Sequence, residues 1–141
     1  MLLSQGSVLG GFSFHLVEGR LRYVHNLYGK ECRVVATDHP VSTGRHQLGF
    51  RFDRQNDGGG AAALAVDDVV LAEGHIPRFT VAAFSATGAG LTCGYEVGPA
   101  VGGDYEAPFR CTATIHTATV TLSEEVPVSP MVEFERIMSE Q

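Results

Sequence analysis

Six residues of this 141-residue chain have side chains suited to binding a carbohydrate. Aromatic rings pack against the apolar face of a sugar, and polar neighbours hydrogen-bond its hydroxyl groups. One set lies along a short stretch and the other in a loop rich in glycine, proline and acids: Tyr23, His25, Asn26 and Tyr28, then Asp104 and Tyr105. If the loop folds over the sheet that carries the first set, the six residues form one ligand-binding site. The competing interpretation is that Tyr23 belongs to the core and Tyr105 anchors the loop.

Metal binding and catalysis have weaker support in the sequence. The six histidines are scattered and lack the spacing typical of zinc ligands. Calcium is the one possible cofactor, held by Asp104 and by backbone carbonyls of its neighbouring glycines, although an acid in such a loop is more often solvated or caps a turn. The chain contains no Gly-x-Ser-x-Gly motif and no recognisable Ser, His and Asp order. We therefore predict no catalytic residue, no resident metal and no enzymatic activity.

Composition narrows the classes of partner. The chain carries 16 acids against 10 bases, for a net charge of −6, and its single lysine is Lys30. Phosphate contacts require clustered Lys and Arg, so we expect no nucleic-acid partner. No apolar stretch reaches the roughly 18 residues of a membrane span, and the first 17 residues lack the features of a signal peptide. Three widely spaced cysteines do not form a disulfide framework, so we expect a reducing, cytoplasmic location.

Alternating apolar and polar residues predict a chain made mostly of β-strands. Residues 45–74 contain one alternating run, a glycine-rich turn, and a hairpin that pivots on Asp67-Asp68. Residues 11–36 have the pattern of a three-stranded meander, with turns at Glu18-Gly19 and Gly29-Lys30. Residues 109–122 are rich in threonine and other β-branched residues, and they predict the last strong strand. Eight to ten short strands indicate an all-β antiparallel sandwich.

The chain changes character near its end. Residues 126–130 are punctuated by proline and predict a linker. Residues 131–141 predict a short C-terminal helix, capped by Ser129, with Pro130 in its first turn. We therefore divide the chain into a β-sandwich domain over 1–125 and a linker with a short helix over 126–141.

Several segments together resemble the C-terminal domain of bacterial arylsulfatases. They are GGFSFHLVEGRLRYVHNLYG, STGRHQLGFRFD, ALAVDDVVLAEGHIPR and GLTCGYEVGPAVGGDYEAPFRCTATIHTATVTL. The resemblance implies an antiparallel jelly roll of the concanavalin A-like or laminin G-like kind. The sulfatase C-x-P-x-R motif is absent, so no sulfatase active-site residue transfers to this chain. The resemblance implies a non-catalytic accessory domain for carbohydrate binding or assembly; alternatively, the chain is a subunit of a sulfatase-type hydrolase with its active site on another chain.

The resemblance also implies a partner. In the family, a further strand precedes the segment that matches LLSQGSVLGGFSF. A sandwich without that strand leaves unpaired N–H and C=O groups along a sheet edge. We therefore expect a homo-oligomer, most simply a homodimer, or a partner chain that covers the edge.

Overall fold

The computed structural model describes residues 1–56, 58–78, 90–96 and 98–122. Over these residues the chain is all-β, with ten strands in antiparallel sheets and no helix. The described residues contain no helix that is long and apolar enough to cross a membrane. The predicted linker and C-terminal helix lie outside the described residues.

The larger sheet has five strands and contains the predicted meander. Its strands are β1 (Leu3–Ser7), β2 (Gly10–Val17), β3 (Arg20–Leu27), β4 (Glu31–Ala36) and β8 (Thr92–Cys93), in the order β4-β3-β2-β1-β8. Glu18 and Gly19 have φ angles of 51° and 75°, as the two central residues of a type I′ hairpin turn require. The first strand continues through Gly6, and its outer neighbour is β8, over Leu3 and Ser4.

The smaller sheets are a three-stranded sheet and a two-stranded ribbon. The three-stranded sheet contains β5 (Leu48–Arg54), β6 (Gly60–Val66) and β7 (Val69–Ile76), and the ribbon contains β9 (Tyr95–Glu96) and β10 (Phe109–Arg110). The hairpin at Asp67-Asp68 is confirmed, with φ angles of 51° and 66°. The Asp67 carboxylate accepts hydrogen bonds from the Gln47 N–H at 2.8 Å and from His46 Nδ1 at 2.7 Å, which fixes the turn.

The main hydrophobic core lies between the five-stranded and three-stranded sheets. Its fully buried side chains include Leu21 and Tyr23 from β3, together with Leu64 from β6 and Ile76 from β7. Phe14 from β2 completes the apolar face of the larger sheet. Period-two alternation therefore places one set of side chains in this core and the other set on the opposite face of the five-stranded sheet.

The prediction of a strand over residues 109–122 is wrong for most of its length. Only Phe109–Arg110 pairs, with β9. The Cys111 N–H donates to the Gly94 carbonyl at 2.8 Å, and after a bend at Ala113 the chain runs to Leu122 without a turn and without a strand partner among the described residues. High β-propensity produces a strand only where a neighbouring edge is available, because sheet stability comes from cross-strand contacts.

The three cysteines are free, as the sequence predicts. Cys32 and Cys93 lie in strands but are exposed, and Cys111 is half-buried. They are therefore not buried core residues.

Candidate functional site

A polar cluster lies on the face of the five-stranded sheet that points away from the core. Ser13 and His15 alternate with core phenylalanines along β2, and neither is exposed to solvent. Residues 98–105 cover them, and we call this segment the covering loop. The cluster forms because the sheet has two faces and the covering loop carries polar groups onto the second one.

Asp104 of the covering loop joins two neighbouring strands. Its Oδ2 lies 3.0 Å from His15 Nε2 on β2 and accepts a longer hydrogen bond, 3.5 Å, from Arg22 Nη1 on β3. His15 and Arg22 are directly opposite in the strand register, so both reach the same carboxylate. Burial raises the pKa of Asp104, but the hydrogen bond and charge of His15, with the charge of Arg22, outweigh burial and leave that pKa lowered. The ionised form of Asp104 is therefore the one that holds the loop.

Asn26 fastens the other end of the covering loop. Its Nδ2 donates to the Val101 carbonyl at 2.7 Å and to the Val8 carbonyl at 3.1 Å. Its Oδ1 accepts from the Gly29 N–H at 2.8 Å. The buried Asn26 amide thus links the covering loop to the β1–β2 turn at Val8 and to the β3–β4 turn at Gly29.

A buried carboxyl group lies close to the same loop. Glu96 in β9 is 4% exposed, and burial raises its pKa, while the Tyr105 and Ser4 hydroxyls and the charge of His15 lower it in part. Neither Glu96 carboxylate oxygen has a partner in regular hydrogen-bond geometry among the described residues. Burial and the nearby Glu96 raise the pKa of Tyr105. Its hydroxyl accepts a hydrogen bond from the Val101 N–H at 3.1 Å.

The His15–Asp104 pair has the chemistry of a base with an orienting carboxylate. In hydrolases, such a pair activates a nucleophile that is hydrogen-bonded to the second ring nitrogen. Here His15 Nδ1 has no hydrogen-bond partner among the described residues, and the ring is 0% exposed. The Tyr105 ring packs against it at 4.8 Å between centroids. The pair therefore fastens the covering loop to the sheet.

The six residues of the predicted carbohydrate site are divided between two faces of the sheet. Exposed fractions are 1% for Tyr23, 1% for His25, 3% for Asn26, 43% for Tyr28, 9% for Tyr105 and, for the Asp104 side chain, 16%. Tyr23 and His25 alternate with Asn26 along β3, so they occupy the core face while Asn26 lies under the covering loop. Burial lowers the pKa of His25 to about 4. The competing interpretation therefore agrees with the structure: Tyr23 belongs to the core, and Tyr105 anchors the covering loop.

No metal site emerges from the described residues. They contain no group of three or more His, Cys, Asp or Glu side chains that could hold a metal ion. A cavity of about 160 Å³ lies beside Met1, Leu16 and Phe109. Ligand pockets for small molecules typically reach about 300 Å³ or more, so this cavity is small for a sugar.

A second candidate functional feature, besides the polar cluster under the covering loop, is residues 112–122, which we call segment 112–122. The side chains are exposed except for the half-buried Ile115, and Val120 and Leu122 are 60% and 85% exposed. The segment carries no formal charge, glycine or proline, and seven of its eleven residues are Thr, Ile or Val. No backbone hydrogen bond joins it to another described residue. Such a composition is typical of a strand that pairs with another chain.

Comparisons of the chain with family models, with curated proteins and with solved structures found no match. The arylsulfatase resemblance therefore remains a hypothesis.

Sequence reasoning missed His15 and the exposure of segment 112–122. The two-residue alternation of β2 places His15 opposite the core phenylalanines, but no sequence signal indicates that Asp104, 89 residues away, would meet it. For segment 112–122, the local sequence does not reveal whether a sheet edge lies beside it, and only the assembled sheets show that none of the described edges does.

Proposed function

We propose that this protein is a non-catalytic accessory β-sandwich, of the jelly-roll kind, that assembles with other copies through segment 112–122. The observation that carries the proposal is the exposed, uncharged, β-branched segment itself, which pairs with no described strand. A strand of this composition gains ladder hydrogen bonds and buries apolar area only when it joins a sheet edge. This surface differs from the N-terminal sheet edge that the resemblance implies, where β8 pairs with Leu3 and Ser4 of β1.

Interruption of the segment tests the proposal directly. Thr117→Pro removes one backbone donor in the middle of the segment without adding charge, and Pro is excluded from paired positions of a strand. Thr117→Ser is the matched control because it keeps the N–H and the hydroxyl. We expect light scattering to give a mass above the 15.1 kDa monomer for the natural chain and Thr117→Ser, and the monomer mass for Thr117→Pro. A natural chain that stays monomeric at high micromolar concentration, or an oligomer that Thr117→Pro leaves intact, would overturn the proposal.

Carbohydrate binding has less support as the function. Of the six residues proposed for it, only Tyr28 is exposed by more than a third, and it lies at a turn with a φ of 53°. A glycan would need the covering loop to lift before it reached Asp104 or Tyr105. Calcium binding rests on Asp104 alone. A role as a sulfatase subunit rests on the sequence resemblance alone.

A further inference from the structure

We propose that segment 112–122 pairs with the outer edge of β7 in a second copy, and that the exchange is reciprocal and closes as a two-fold dimer. This inference rests on the proposed function and adds the edge that accepts the segment. It follows from the character of the four outer strands of the two larger sheets, from the reach of the segment and from the charges near β7.

The outer edges differ in how well they are protected against pairing. Charged side chains on an edge strand discourage association with another chain. The edge strand β4 carries Glu31 and Arg33, whose side chains are 3.4 Å apart, and β5 carries Arg51 and Asp53, 3.0 Å apart. The fourth outer strand, β8, has two residues and offers almost no edge.

The edge of β7 lacks this protection. Val69, Val70 and Leu71 are 60%, 47% and 48% exposed in succession at its start. From Val69 to Ile76 the strand has no Lys, Arg or Pro, and its one formal charge is Glu73. Among the outer strands of the two larger sheets, β7 therefore offers the most complementary surface to an uncharged, β-branched segment.

The lengths of donor and acceptor agree. The eight residues of β7 span about 26 Å at strand spacing, and the seven residues that follow the half-buried Ile115 in segment 112–122 span about 23 Å. The segment can therefore pair along most of the acceptor strand.

The same distances disfavour pairing within one copy. The Cys111 N–H is hydrogen-bonded to Gly94 beside β1, and the half-buried Ile115 side chain still lies close to Gly94, so the segment leaves the fold after Ile115. The acceptor β7 packs over β4, at the opposite edge of the five-stranded sheet, where Gly74 lies against Val35. Crossing four strand spacings takes roughly 19 Å, or about six of the seven remaining residues, and leaves about one for pairing. A second copy has no such restriction.

Charge also separates this arrangement from direct pairing of two β7 strands. The acids near the edge are Asp67, Asp68 and Glu73, with no Lys or Arg inside the strand. Antiparallel pairing of β7 with its own copy centred on Glu73 brings the two Glu73 carboxylates side by side, and like charges in that position are unfavourable. Segment 112–122 carries no formal charge and meets no such repulsion.

The test uses edge charges of matched exposure. Val70→Lys places a lysine on the β7 edge, and Val34→Lys places one on β4, where Val34 is 51% exposed. We expect Val70→Lys to raise the dimer dissociation constant about tenfold or more in sedimentation equilibrium, and Val34→Lys to leave it unchanged. Loss of the dimer in Thr117→Pro but not in Val70→Lys would overturn the β7 assignment while the proposed function stands. A monomeric natural chain would overturn both.

Complementation then identifies reciprocal exchange. Thr117→Pro keeps an intact acceptor and Val70→Lys keeps an intact donor, so a mixture of the two restores one of the two pairings. We expect mixed dimers, detected by a mass tag on one variant, at concentrations where each variant alone is monomeric. Absence of mixed dimers would overturn the exchange, and a ladder of larger species formed by the natural chain would overturn the closed two-fold arrangement.

Discussion

Tyr23 and Phe50 stack face to face between the two main sheets, with ring centroids 3.7 Å apart and ring planes 8° from parallel. Phe12 stacks on Tyr23 as well, at 5.9 Å. The stack joins β3 of the five-stranded sheet to β5 of the three-stranded sheet. Tyr23 therefore belongs to the core and is not available to a ligand. Burial accordingly raises the pKa of Tyr23.

Removal of one ring of this stack will weaken the fold. We expect Phe50→Ala to lower the free energy of unfolding by about 3 kcal/mol, because it removes a stacked core ring and leaves a cavity. Urea denaturation measures the change. Leu91→Ala is the control, since Leu91 is 52% exposed, and it should cost less than about 0.5 kcal/mol. Similar losses in the two variants would show that the stack does not hold the sheets together.

Acid will loosen the contact between Asp104 and His15. The pKa of Asp104 is lowered in the folded state, so its contribution to stability is present above the unfolded value of about 3.9 and is lost as pH falls through the folded pKa. We expect Asp104→Asn to be less stable than the natural chain at pH 7, and the difference to shrink progressively below about pH 4. Chemical denaturation at several pH values measures it. A difference that stays constant down to pH 2.5 would exclude this role for Asp104.

A second pH effect comes from His25 on the core face. Its pKa falls to about 4 because burial disfavours the charged ring. The unfolded chain takes up this proton at about pH 6.5, so stability is lost as pH falls from there towards 4. We expect an NMR titration midpoint for His25 near 4, and a shallower loss of stability over this range in His25→Phe. A midpoint near 6.5 would contradict the burial of the ring.

The tight approach of β1 and β2 depends on a glycine at position 6. Gly6 has a φ of 101° and is paired with Gly11, and a Cβ at Gly6 would overlap the Gly10 carbonyl oxygen. We expect Gly6→Ala to lower the free energy of unfolding by about 2 kcal/mol or more. Gly103→Ala is the matched control, because a Cβ there meets nothing within 4 Å. Equal melting temperatures for the two variants would refute the close approach.

The Asn26 amide holds the covering loop to the sheet at Val101. Asn26→Asp replaces the donor to the Val8 and Val101 carbonyls with an acceptor of the same shape. We expect a loss of about 2 to 4 kcal/mol, since two carbonyls would face a carboxylate, and faster proteolysis within residues 98–105. Asn56→Asp, at an exposed position, should change neither property. Unchanged cleavage in Asn26→Asp would show that Asn26 does not retain the loop.

Local patterns in the sequence predicted much of the fold because they depend on neighbouring residues. The alternation of Leu48, Phe50 and Phe52 and the turn at Asp67-Asp68 are local signals, and both are confirmed. Segment 112–122 has equally strong strand propensity and forms no strand, because pairing requires an edge that the local sequence does not encode.

The candidate site was less predictable for a related reason. The period-two pattern already placed Tyr23 and His25 opposite Asn26, which argued against one shared binding face. The meeting of Asp104 with His15 and Arg22 depends on how the covering loop folds back over the sheet. That path is set by contacts distant in sequence, such as the one between Asn26 and Val101.

Because His15 is buried beneath the covering loop, hydrogen exchange at its imidazole ring reports how often that loop opens. The imidazole C2 hydrogen exchanges slowly with solvent deuterium, and only when water reaches the ring. Because the ring is 0% exposed, exchange at His15 requires the loop to lift, whereas the ring of His39 is already in contact with water. The ratio of the two exchange rates therefore reports how often the loop opens while both sheets stay folded.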